Sequence, residues 1–506
     1  MVLVILQALY NNYFPEQRLY QVLLAGVVLF TAWSYAQGRK TSRDRDLHAR
    51  TFIITGGFTS VGITLLQSLA SRGAHVIALT PLDPESPPTS TLIDLLRSTT
   101  SNEQIFAEHC DLTSPPSIHA FASNFIKGKD QRLDGIIFAH EYRHVPGNPS
   151  DPEVPVRMRK EGALATFLMT TLLLPSLLVA PVERDIRIIS VVNPFYAAAK
   201  GKAVTNPRLQ ASLTEPTIMA EGARALRSVI LMRHLQRILD ALPAAQVPKT
   251  ESASSAVPVV SQDQQKSNIV CVTVSGGISR TDTVYPMFGV EESIARRVLY
   301  ILAQPIIRLL SRTPYSSIQT ILHALFLPTP FKLGSSDADT SSDPTAPSAT
   351  SESTSTSSDT PSTPKPAPRR TKAEILKPGA LYSDCAVLTL GLPVVKEDED
   401  AADELQELRD EVKERKGGSS KDIKTGSSTD TAAGPKPKSA KSEKAKAKAQ
   451  KTEQIELPND GEYGGEVAGR KVWEALEEEL KAWEKEHADA APAAGSEKEG
   501  ASTHSL

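Results

Sequence analysis

His140-Glu141-Tyr142-Arg143-His144 has the HExxH spacing, in which two imidazoles one helical turn apart bind zinc and the glutamate serves as base. That chemistry needs both histidines on one helix face and a third ligand downstream. Val145-Pro146-Gly147-Asn148-Pro149 breaks any helix at once, so a loop is the expected setting and no metal is expected. His140 and His144 are then candidate contacts beside a crevice. A second cluster, Thr55-Gly56-Gly57-Phe58-Thr59-Ser60-Val61-Gly62, stands between a run of β-formers and Leu65, Leu66 and Leu69 at helical spacing. Strand, glycine turn and helix in that order seat a pyrophosphate on the N–H groups of a helix N-terminus, and a Cβ in the turn would hold the dinucleotide away. The bland alternative is a tight turn beside an empty crevice. Cys110, Cys271 and Cys385 stand alone, with neither disulfide nor zinc spacing, which suits a reducing compartment.

The elements that must position these groups alternate. After the strand–turn–helix–strand unit of Thr51 to Ala78 come a helix around Thr91 to Ser98 and a strand from Ile105 to Leu112. A helix from Ser117 to Lys127 and a strand from Leu133 to Ala139 follow. Such alternation predicts a Rossmann-like α/β fold, a doubly wound parallel sheet with helices on both faces. Gly162 to Val182 is an uncharged run that hydropathy alone would place in a membrane. Its position before the strand Ile186 to Val192 predicts a helix buried on the sheet instead.

The chain has 506 residues, 40% hydrophobic and 23% charged, and its net charge of -3 gives no electrostatic argument for nucleic acid, which is not an expected partner. Leu19 to Ala36 carries no charge, and a helix of roughly 20 such residues crosses a bilayer core. Arg39, Lys40, Arg43 and Arg45 follow it, which leaves the main domain cytosolic on a single-pass anchor in the lipid bilayer. The endoplasmic reticulum is expected over the mitochondrial outer membrane. The rival is a cleaved signal peptide, but the basic residues lie on the wrong flank for one.

The layout is an anchor over 1–45, with its helix about 19–36, then a dinucleotide-type domain over 46–330 holding an exposed insertion at 241–267. A disordered linker over 331–372, a final strand within 373–395, a charged low-complexity linker over 396–460, an amphipathic helix in 461–490 and a disordered tail over 491–506 complete it. Val472, Trp473, Leu476, Leu480 and Trp483 form one stripe in residues 467–487, to be covered by the domain itself or by a protein partner. Glu291 to Arg312 joins long apolar faces to Arg296, Arg297, Arg308 and Arg312; it suits either an entrance against a membrane or a helix closing the domain.

Taken together, the turn Thr55 to Gly62, Asp111-Leu112-Thr113, LDGIIFA, RIISVV and Val274-Ser275-Gly276-Gly277-Ile278-Ser279-Arg280-Thr281 resemble the short-chain dehydrogenase/reductase family over roughly Thr51 to Leu327. The resemblance implies a nicotinamide cofactor held by Thr55, Gly56, Gly57, Ser60, Gly62, Thr80, Asp111, Leu112, Ala139, Gly277 and Thr281. Thr80 stands where NAD-preferring members carry an acidic residue, so NADP is favoured over NAD. Tyr196 and Lys200 match the YxxxK pair in which the lysine lowers the tyrosine pKa and the tyrosine donates a proton; Asn193 replaces the usual serine. The family's middle glycine is Ser60, its fourth-strand Asn-Asn-Ala-Gly is Phe138-Ala139-His140-Glu141, and its helix asparagine falls at Glu161 or Gly162. Tyr196 also lies too close to the preceding strand. On the long helix Pro216 to Leu242 the tyrosine position would be Met219 and the lysine position Ala223. Two functions therefore stand: an oxidoreductase acting on a carbonyl or alcohol of a lipid-like substrate, or a non-catalytic relative serving as nucleotide-binding scaffold or protein-interaction module.

Overall fold

The computed structural model describes residues 16–128, 132–147, 151–181, 184–206, 208, 209, 215–242, 267–290, 293–329, 374–395, 457 and 459–490. The insertion, most of both linkers and the tail at 491–506 lie outside the described residues. Eight strands form one sheet: β1 (Thr51–Thr55), β2 (His75–Thr80), β3 (Ile105–His109), β4 (Gly135–Phe138), β5 (Ile186–Val192), β6 (Ile269–Ser275), β7 (Leu381–Ser383) and β8 (Ala386–Leu388). Their order is β3-β2-β1-β4-β5-β6-β7-β8, parallel throughout except for the antiparallel β7–β8 pair. The order reverses between β1 and β4, and in such sheets the ligand crevice lies outside the carboxyl ends at that point.

The helices longer than two turns among the described residues are α1 (Glu16–Gln37), α2 (Ser60–Ala70), α3 (Pro87–Thr100), α4 (Pro115–Lys127), α5 (Glu153–Leu178), α6 (Thr217–Ala241), α7 (Ile294–Leu310), α8 (Pro314–Phe326) and α9 (Gly465–Ala490). Alternation of side chains along each strand divides the core in two. Ile53, Ile136, Ile188 and Cys271 face α4, α5, α6 and α9, whereas Ile54, Ile137, Ile189 and Val272 face α2, α3 and α8. Both sheet faces are covered, which is why the strands read as unbroken apolar runs rather than as alternating ones.

Three expectations are refined. The third strand ends at His109, because the Asp111 carboxylate turns back to accept from the Thr113 backbone and hydroxyl at 2.9 and 2.8 Å. The apolar run at Gly162 belongs to α5, which begins two turns earlier at Glu153. Among the described residues α5 is the one helix long and apolar enough to cross a membrane by length and composition; Leu164, Ala165, Met169 and Leu173 are nonetheless buried on the sheet. The final strand is a hairpin, since Asp384 and Cys385 both have positive φ, 53° and 57°, the geometry of a two-residue turn.

The tryptophan stripe of α9 lies against the domain. Trp473 meets Phe167 edge-on with ring centroids 4.8 Å apart, Val472 and Leu476 are fully buried, and Arg227 pairs with Glu479 at 2.9 Å. Leu476→Ala should therefore cost about 2–5 kcal/mol. Guanidinium unfolding checks this, and Glu478→Ala, on the exposed face, should be nearly neutral.

Candidate functional site

At the β1–β4 switch point the glycine turn and the end of β4 come into close contact. Gly56 has φ +67°, and a Cβ there would lie 2.8 Å from the His140 backbone, so the turn and the end of β4 touch through this glycine. Thr59 caps α2, its hydroxyl accepting from Gly62 N at 3.0 Å. The next donors of the helix N-terminus, the N–H groups of Ser60 and Val61, both point at the Asp282 carboxylate, with Val61 N to Oδ2 at 3.1 Å. Asp282 is only 4% exposed. Thr281 also donates to it, Ser279 accepts from its backbone N–H, and its carbonyl accepts from His144 N at 2.9 Å. Burial raises the Asp282 carboxyl above its usual range, although the Val61, Thr281 and Ser60 donors pull the other way. The turn after β6 is thus folded into the crevice, and Tyr142 holds it there by donating its hydroxyl to Gly277 O at 2.7 Å.

The HExxH residues are spent on internal contacts. His140 Nε2–H donates to Gly162 O at 3.0 Å, which leaves Nδ1 to accept from the Thr55 hydroxyl at 2.7 Å. Burial lowers the pKa of His140 and of His144, so both are neutral near pH 7. Glu141, 2% exposed, accepts from Thr166 and Ser228. A short 3-10 turn covers only His140–Tyr142. No group of three ligand-type side chains that could hold a metal occurs among the described residues.

Behind these lies a buried ionic knot centred on Glu221, a fully enclosed α6 residue. One carboxylate oxygen accepts from Arg159 Nε at 2.8 Å and Val145 N at 3.2 Å; the other accepts from Arg224 and from the Asn193 amide, the latter at 2.7 Å. Arg224 reaches on to the carbonyls of Glu141 and Arg143, both at 2.8 Å. Every lone pair that would make Glu221 reactive is engaged.

A family model described as the KR domain matches residues 50–142. An uncharacterised oxidoreductase of Saccharomyces cerevisiae is 26% identical over 318 residues, covering 61% of this chain and 74% of that protein. A polyprenol dehydrogenase of Homo sapiens is 27% identical over 201 residues, 38% of this chain and 56% of that one. Retinol dehydrogenase 13 of Mus musculus is 28% identical over 171 residues, 34% and 49%. The chain thus spans about half the length of these last two. A crystal structure of a short chain dehydrogenase from Shigella flexneri aligns with a TM-score of 0.36 at 15% identity, covering 55% of this chain and 86% of that one. These matches make the chain similar to short-chain dehydrogenase/reductase-like oxidoreductases over its Rossmann-like domain.

Against that family's pattern, the dehydrogenase-like turn, Ala139, Gly277 and Thr281 do converge on one crevice, and Gly57 and Gly62 pack beneath it. Thr80 ends β2 and Asp111 lies two residues past the end of β3, and each caps its own turn: the Thr80 hydroxyl accepts from Leu82 N at 3.1 Å. Leu112 packs into the core. Asn193, at the end of β5, is buried and gives its amide N–H to Glu221. Tyr196 leads elsewhere. It lies on the short turn Pro194–Ala197, packs with Val192, Ala225 and Leu381, and hydrogen-bonds Ser383 on β7. Burial raises its hydroxyl pKa, the reverse of what a nearby ammonium would do, and Lys200 is exposed beside Gly391. The position at Ala223 on α6 faces a cavity of about 210 Å³ edged by Arg159, Lys160 and Arg227.

In this arrangement the Asp282 carboxylate accepts from the Ser60 and Val61 N–H groups, donors that the pyrophosphate of a nicotinamide dinucleotide would otherwise receive. Sequence reading passed over Asp282 and Glu221. The available signals were an acidic residue directly after Thr281 and a lone glutamate in the Ala-rich start of α6.

Proposed function

We propose that this protein is a membrane-anchored, non-catalytic member of the short-chain dehydrogenase/reductase-like family, acting as a scaffold on the cytosolic face of its membrane. One observation carries the reading: the Asp282 carboxylate on the Ser60 and Val61 N–H groups. A helix N-terminus attracts a single anion, and a pyrophosphate would have to displace a buried one of like charge. The Glu221 knot supports the same reading, since the amide of Asn193 is engaged. We read α1 as the anchor although α5 is the one helix among the described residues long and apolar enough to cross a membrane by length and composition: α5 is buried on the sheet, whereas α1 is exposed from Tyr20 to Phe30 and followed by Arg39, Lys40, Arg43 and Arg45.

A second reading is favoured by the relatives named for polyprenol and retinol, both lipid alcohols. In it the protein is an oxidoreductase on a lipid-like carbonyl or alcohol with NADP or NAD, the residues near 279–284 leave the crevice, and Tyr196, Lys200 and Asn193 supply the acid and the polar contacts. Thermal unfolding of the full-length protein in detergent, with millimolar NADPH or NADH, separates the two. Ligand that binds only the folded state raises the melting temperature by mass action. The first reading expects no shift from either nucleotide. A clear shift abolished by Gly56→Trp would replace it with the second.

A further inference from the structure

α7 leaves its most apolar side uncovered. Ile294, Val298, Leu302 and Ile306, at helical spacing along one stripe, are 80%, 51%, 72% and 63% exposed, and Leu299, Ile301 and Leu310 widen it. Ile307 is the one buried residue of the helix. The inner side meets the domain through Tyr300, whose ring lies 5.5 Å from Tyr285 and 5.9 Å from Phe288, and the helix runs against α1. The two helices reach the domain at the same place. Gln37 at the end of α1 donates to Ser311 O at 3.1 Å, and Arg312 Nε donates to Ala36 O at 3.3 Å. The exposed apolar surface of α7 therefore continues that of α1, where Leu23, Leu24, Leu29 and Phe30 are each more than half exposed. One contiguous patch of this kind is not left in water.

We infer that α7 is a second membrane element, its outer stripe lying in the hydrocarbon of the leaflet nearest the domain, alongside α1. The inference rests on the reading of α1 as the anchor and adds to it. Continuity names the occupant, since a surface joined to a bilayer helix shares its solvent. Length decides the mode: 17 residues make a helix of about 25 Å, short of a core of about 30 Å, so α7 lies within one leaflet rather than crossing. Charge agrees with this. Arg296, Arg297 and Arg308 have stems long enough to lie on apolar surface while their guanidinium groups reach lipid phosphates.

The test uses the full-length protein carrying Cys385→Ser, because Cys110 and Cys271 are buried. Single cysteines at Leu24→Cys on α1, Leu302→Cys and Val298→Cys on α7, and Leu95→Cys on the exposed side of α3 are labelled with an environment-sensitive fluorophore. Each protein is reconstituted into phosphatidylcholine vesicles with and without phosphatidylcholine spin-labelled on the acyl chain. Quenching at Leu302 and Val298, several-fold above that at Leu95 and strongest for labels near the headgroup end, is the expected result. Quenching at Leu24 with neither α7 site quenched overturns the inference and leaves the anchor standing. No quenching at any of the three overturns both.

Discussion

On the scaffold reading, Asp282→Asn should give the chain an affinity for NADPH that the wild type lacks at neutral pH. Asparagine keeps a side-chain oxygen to accept from Ser60 and Val61, so the loop retains its hydrogen bonds when the crevice is empty. What it removes is the negative charge. Two unit charges about 4 Å apart interact by about 4 kcal/mol at an effective dielectric near 20, which corresponds to roughly a thousandfold in dissociation constant. Calorimetric titration of NADPH into the detergent-solubilised full-length protein measures it. The pH dependence carries its own sign. Burial raises the Asp282 carboxyl pKa, so the group takes up its proton at a higher pH than an exposed carboxylate. Wild-type affinity for NADPH should therefore increase as the pH falls towards that pKa, and the Asp282→Asn affinity should not follow it. Equal, undetectable binding by both proteins at every pH would show that something other than this carboxylate closes the seat.

Glu221→Gln should destabilise the domain by about 3–5 kcal/mol, the usual cost of removing one partner from a buried ionic cluster. Arg159 and Arg224 are each 6% exposed, and their charges would face a neutral amide that brings two further donors into a site already crowded with them. The Asn193 amide would exchange a charged acceptor for a neutral one and keep the Glu221 backbone carbonyl at 3.2 Å. Equilibrium urea unfolding, followed by tryptophan fluorescence, gives the number. A loss below about 1 kcal/mol would mean that the knot contributes little to the fold. The scaffold reading would then lose one of its two supports.

How legible all this was in the sequence differs from one residue to the next. The strand runs IIFA and RIISVV and the turn Thr55 to Gly62 announce a parallel sheet with its switch point at Gly56, because burial on both faces and a glycine turn leave local marks. The α9 stripe was legible as a surface needing cover, but the partner that covers it, Phe167 of α5, lies far away along the chain. YxxxK was visible at Tyr196 and Lys200; the three-dimensional fold sends Tyr196 to Ser383 of a strand that enters the sheet long after it.

The sequence by itself determined the layers: local periodicity, turn residues and apolar runs are short-range signals, and they specify a doubly wound sheet, its glycine turn and an apolar N-terminal helix. Only the tertiary structure decided what occupies the crevice. Asp282 lies 221 positions beyond Val61, and the hydrogen bonds that place it on Ser60 and Val61 depend on the β1–β4–β5–β6 order bringing two strand ends together. The same holds for Glu221, whose role is set by Arg159 of α5 and Asn193 at the end of β5 arriving beside its own helix neighbour Arg224. Charges identify themselves in a sequence; the pairing that neutralises them is a long-range property of the fold.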